Sequence, residues 1–181
     1  MIKGNAKELY KYFLARDSRK LRKLNDKYTD AVAIDFNQTD FLLAIVAYTL
    51  SKVVSKPRYA DNPKAILSIE KLLEQLSTET DSRGILTILD QLVERLRLLD
   101  ESDKRYVKDV IHKAHVKTGG TLYAKGFSLG MAAEKTGVDK QEILEYSGRS
   151  AVYDRVTDEI SLEDRVKKVR RLFKNWDLHI D

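Results

Sequence analysis

The sequence predicts an all-α fold: a helical bundle followed by a helix-turn-helix-like unit and a terminal basic amphipathic helix. Three observations carry that expectation. Apolar residues recur at three- and four-residue spacing through nearly every segment, the period of one helix face. Only 2 prolines and 8 glycines occur in 181 residues, too few for a turn-rich β architecture. No alternation of strand-like and helix-like segments is present, as a parallel sheet would need.

Leu9, Phe13, Leu14, Leu21 and Leu24 mark a first helix, from Ala6 to Asn25. A second runs from Asp40 to Lys56, with Asn37 and Thr39 as cap candidates and Pro57 beyond its end. Its FLLAIVAYTL stretch is apolar on most sides, which makes it the central helix. After the loop KPRYADNP, Asn62-Pro63 opens the next helix, with Asn as the cap. Proline there has the right fixed φ and lacks only an N–H that would go unbonded anyway. The stripe that follows is Ile66, Ile69, Leu72, Leu73 and Leu76. A polar run, Ser77 to Arg83, separates it from Ile85, Ile88, Leu89, Leu92, Val93, Leu96 and Leu99. Ser102 then caps a helix carrying Val107, Val110, Ile111 and Ala114.

The texture changes next. Six of the eight glycines lie between Gly119 and Gly148, so Lys117-Thr118-Gly119-Gly120 reads as a turn and the later elements as short. A boundary within Lys117–Gly126 divides the chain into a helical bundle over residues 1–120 and a smaller unit over 121–181.

Within that unit, residues 128–148 read SLGMAAEKTGVDKQEILEYSG. Ala132 and Ala133 are small enough for two helices to cross closely, and Gly137 supplies a turn at positive φ. Val138, Ile143 and Tyr146 close a miniature core. Ser128 caps the first helix; Asp139 caps the second, with Glu142 placed as in a capping box. The run S-L-G-x-A-A-E-x-x-G-V resembles the helix-turn-helix of small prokaryotic antitoxin-like regulators. The likeness covers residues 128–148 and none of the bundle.

That resemblance implies that Asp139–Tyr146 is a recognition helix whose first turn meets base edges. Lys140 and Gln141 suit the task, because Lys reads guanine and Gln reads adenine. One feature departs from the pattern. Asp139, Glu142 and Glu145 outnumber Lys140 over the same stretch, and carboxylates near phosphate oppose binding.

The chain carries a net +5, concentrated at its two ends. Residues 1–30 hold nine Lys and Arg against four carboxylates. Near the other end, Ser161 caps a helix with the stripe Val166, Val169, Leu172, Phe173 and Trp176. Together with Arg149, its Lys167, Lys168, Arg170 and Arg171 could hold phosphates, which positions a protein on DNA without specifying sequence. The same stripe could equally form a dimer surface or fold back on the bundle. Modules of this type bind as dimers, so a homo-oligomer is expected.

Other chemistries find little support. The absence of cysteine excludes disulfides, thiolate metal sites and thiol catalysis. There is no phosphate-binding G-x-x-x-x-G-K-[ST] sequence and no nucleophile elbow. His112 and His115 share a helix face with Asp109, but no second helix has ligand spacing, so no metal site is expected. Asp30, Asp35 and Asp40 would need a nuclease-like strand; loop and capping duties explain them more simply. No catalytic residue and no cofactor are expected. No signal peptide or spanning segment is read, so the cytoplasm is the expected location. Two functions remain: a DNA-binding regulator or antitoxin-like protein, and a non-catalytic scaffold binding a protein partner through a degenerate motif and an apolar terminal helix.

Overall fold

In a computed structural model, residues 2–57, 59, 62–101 and 110–154 are described. They form eight helices: α1 (Ile2–Leu14), α2 (Ser18–Ile34), α3 (Gln38–Ser55), α4 (Pro63–Thr78), α5 (Ser82–Glu101), α6 (Val110–Ala124), α7 (Leu129–Thr136) and α8 (Lys140–Asp154). No strand occurs among the described residues, and the expected all-α class is observed. None of the described helices is long and apolar enough to cross a membrane.

α3 is the centre, packed against α1, α2, α5 and α6. Phe41 through Ala47 are buried without a break, as the apolar run predicts. Asn37 is its cap, accepting the Asp40 N–H at 2.8 Å. Asn62 caps α4 in the same way, through the Ala65 N–H at 3.2 Å, with Pro63 opening the helix. The inward stripes are Ile69, Leu73 and Leu76 on α4, and Ile85, Leu89, Leu92, Leu96 and Leu99 on α5. Fully burying one such side chain contributes roughly 1.5–3 kcal/mol.

Two expectations need correction. The helix expected over Ala6–Asn25 is two helices, α1 and α2. Arg16 takes a left-handed φ of 51°, and Asp17 restarts the chain by accepting the Lys20 N–H at 3.0 Å. Leu9, Phe13, Leu21 and Leu24 are buried on both sides of the break, while Leu14 is exposed. A stripe that continues across the break hides it. The Lys117–Gly120 segment is likewise helical, inside α6, and Gly119 and Gly120 are buried.

α6 therefore continues through Gly119 and Gly120 and ends at Ala124. In the turn that follows, the Phe127 N–H returns to the Leu122 carbonyl at 3.1 Å. The contacts define one unit over Met1–Ser147 and another over Gly148–Asp181. In the second, residues 148–154 are described and are helical. Leu122, Ala132, Val138 and Ile143 belong to the same core as the bundle residues.

Polar links tie the bundle together. Asn25 is buried and donates its Nδ2 to the Ala44 carbonyl at 3.0 Å. Asp100, at the end of α5, accepts the Tyr59 hydroxyl and, at 2.7 Å, the Val110 N–H that opens α6. Tyr28 is also buried, and its hydroxyl has no partner among the described residues. Burial first, then Glu8 and Asp40, pushes that phenol well above its usual range. Ser102, Val107 and Asp109 lie outside the described residues.

Candidate nucleic-acid interface

α7 and α8 rest on α6, and the sequence shows how. Ser128 Oγ accepts the Met131 N–H at 3.1 Å and starts α7. Gly137 ends it in the left-handed region, φ 67°, with its N–H on the Ala133 carbonyl at 2.9 Å. A side chain at that φ would be strained, so the turn depends on glycine. Asp139 Oδ1 then accepts the Gln141 N–H at 2.7 Å, and α8 begins. Ala132, Val138 and Ile143 are buried, as the miniature core requires, and Tyr146 is half-buried.

Gly119 and Gly120 set the distance between α6 and α8. A Cβ on Gly119 would stand 3.1 Å from both Ile143 Cδ1 and Thr136 Oγ1. One on Gly120 would collide with the Tyr146 ring. The glycine pair is a contact surface, which a glycine count alone cannot distinguish from a turn.

Two histidines fasten this seam. His112 Nε2 lies 3.0 Å from Glu142 Oε2. His115 Nδ1 lies 2.8 Å from the Thr136 carbonyl; since a carbonyl only accepts, that nitrogen carries the proton. The bond satisfies one of the carbonyls left open at the end of α7. The His115 ring also meets Phe41 of α3 edge-on at 5.4 Å, and Lys135 Nζ sits 5.1 Å from the centre of the Phe36 ring. The sequence placed both histidines on one face without identifying this role. Their i, i+3 spacing was the available signal.

The arrangement redistributes the acidic charge of α8. Asp139 caps the helix and Glu142 is drawn toward His112. Lys140 and Gln141 remain exposed at the first turn, and their side chains have no partner among the described residues. Glu145 is exposed on the same helix. Met131 of α7 and Leu144 of α8 expose 46% and 40% of their surface. Arg149 falls within α8, but its side chain is outside the described set. Lys167, Lys168, Arg170, Arg171 and the apolar stripe of the terminal helix also lie outside it. Among the described residues no three His, Asp or Glu side chains cluster as a metal site. Comparison with family models, curated proteins and solved structures finds no match.

Proposed function

We propose that this protein is a helix-turn-helix DNA-binding regulator, antitoxin-like and prokaryotic, working in the cytoplasm as a homo-oligomer. One observation supports the reading above the rest. The first turn of α8 presents Lys140 and Gln141 to solvent while Asp139 and Glu142 are engaged elsewhere. Two of the three carboxylates that count against DNA contact thus have structural work. Lys140 and Gln141 would meet base edges, and Arg149, Lys167, Lys168, Arg170 and Arg171 would hold phosphates.

The test is fluorescence anisotropy with duplex DNA at low and near-physiological salt. Contact with several phosphates releases counterions, so affinity should fall steeply as salt rises. Lys140→Ala with Gln141→Ala should weaken sequence preference while leaving the fold intact, because both side chains are exposed. No binding at low salt, or unchanged preference in the double variant, would overturn the reading.

A second reading, a non-catalytic scaffold for a protein partner, rests on Met131 and Leu144. Both are exposed apolar side chains on the two helices of the motif. Binding through them would respond little to salt and would be lost on Met131→Ala with Leu144→Ala.

A further inference from the structure

The basic stretch at residues 1–30 has no role in the reading above, and the fold shows where part of it goes. α2 and α6 are linked along their shared edge by two ion pairs. Lys125 Nζ meets Asp30 Oδ1 at 2.9 Å, and Lys117 Nζ meets Asp26 Oδ1 at 2.9 Å. One turn earlier on each helix stand Arg22 and Lys113, so opposite charge gives way to like charge.

α3 and its C-cap add two more cations, Lys52 and Lys56, four residues apart. Burial, and then the charges of Arg22, Lys56, Lys117 and Lys113, hold the Lys52 ammonium below the usual lysine range. Tyr48 joins two of these cations: Lys52 Nζ is 5.0 Å and Lys117 Nζ 5.4 Å from the centre of its ring. Lys117 is also held by Asn25 Oδ1 at 2.6 Å. Asp26 pairs with Lys117, and Lys56 has an interaction of its own. Arg22, Lys52 and Lys113 have no ion-pair partner among the described residues.

Gathering like charge from three helices opposes folding, and half-burying Lys52 adds a desolvation cost. An external anion offsets both. Four of the five cations are lysines. A lysine is a compact point charge suited to a tetrahedral phosphate, whereas planar carboxylates are matched best by the fork of arginine.

We propose that Arg22, Lys52, Lys56, Lys113 and Lys117 form a phosphate site beside Tyr48, holding neighbouring phosphates of one polyanion. The site uses neither Lys140 nor Gln141, so it stands or falls separately from the recognition-helix reading.

The test is calorimetric titration of the full chain with inorganic tripolyphosphate at low salt. The variants are Lys52→Gln with Lys113→Gln, and, as a control of equal charge change, Lys64→Gln with Lys71→Gln on the exposed face of α4. Wild type and control should bind alike. The Lys52/Lys113 variant should bind about tenfold more weakly or worse, with a thermal midpoint no lower than wild type. No binding by wild type, or an equal loss in the control, would overturn the site. A second arm uses short duplex DNA to identify the source of the phosphates. If tripolyphosphate displaces the duplex from wild type and the Lys52/Lys113 variant binds it poorly, the ligand is a nucleic-acid backbone. If tripolyphosphate binds while duplex affinity ignores that variant, the ligand is a small phosphorylated molecule. Either result supports the site.

Discussion

Around α3, seven consecutive residues from Phe41 to Ala47 are buried, whereas α7, with 8 residues, buries only Ala132 and Thr136. The bundle is held by area: long stripes from several helices converge on one apolar axis. The seam between α6 and α7–α8 has little area to use, since short helices carry few inward positions. It relies on close backbone approach at Gly119 and Gly120, on Glu142 with His112, and on His115 with the Thr136 carbonyl. The contrast implies different failure modes. An area-held region weakens in proportion to the apolar volume removed. A geometry-held one is most sensitive to a side chain added at its close backbone contacts.

The largest expected effects set these modes side by side. Leu43→Ala empties the centre of the bundle and should cost about 2–5 kcal/mol, lowering the denaturation midpoint and hydrogen-exchange protection throughout Met1–Ser147. Gly120→Val removes nothing, yet forces a side chain against the Tyr146 ring; overpacking of this kind costs about 1–3 kcal/mol. Its exchange protection should fall in α7 and the start of α8 and persist in α3. If Gly120→Val instead exposes α3 as strongly as Leu43→Ala does, the seam and the bundle open together and the comparison collapses.

Much of this was legible in the sequence because the signals were local. Asn37 and Asn62 caps, Pro63 at a first helical position, and stripes such as Leu89, Leu92 and Leu96 each show within one or two turns. The break at Arg16–Asp17 was hidden because the apolar spacing fits both helices it separates. Gly119 and Gly120 are ambiguous in the sequence because a glycine pair permits either a turn or a close contact, and the deciding partners, Ile143 and Tyr146, lie more than twenty residues away. The basic group was invisible for the same reason. Arg22, Lys52 and Lys113 come from three distant helices, and the middle of the chain is nearly balanced in charge.

A gain of stability is the next expected effect, and it sharpens the contrast. Tyr28 buries its ring in the bundle while its hydroxyl finds no partner among the described residues. A buried polar group left unbonded costs about 1–3 kcal/mol. Tyr28→Phe keeps the ring and removes the orphan, so it should raise stability by about 1 kcal/mol, read as a higher urea midpoint at unchanged slope. A lower midpoint would mean that the hydroxyl is bonded in solution, and that the bundle depends on polar geometry as the seam does.

The smallest effect belongs to the seam's Glu142–His112 contact, which is an ion pair only while the imidazole is protonated. Glu142 and His112 keep 30% and 39% of their side-chain surface, so water and salt screen their attraction, and pairs of this exposure are worth about 1 kcal/mol or less. Glu142→Gln retains a hydrogen-bonding oxygen and removes the charge. It should therefore lower stability by a few tenths of a kcal/mol at low salt and by less at high salt. The same substitution makes α8 less negative beside Lys140 and Gln141. If α8 meets DNA, duplex affinity should rise as seam stability falls, and anisotropy read alongside the unfolding midpoint separates the two effects. Affinity that falls together with stability would mean that His112 and Glu142 position α8 for binding, making the fastener part of the interface.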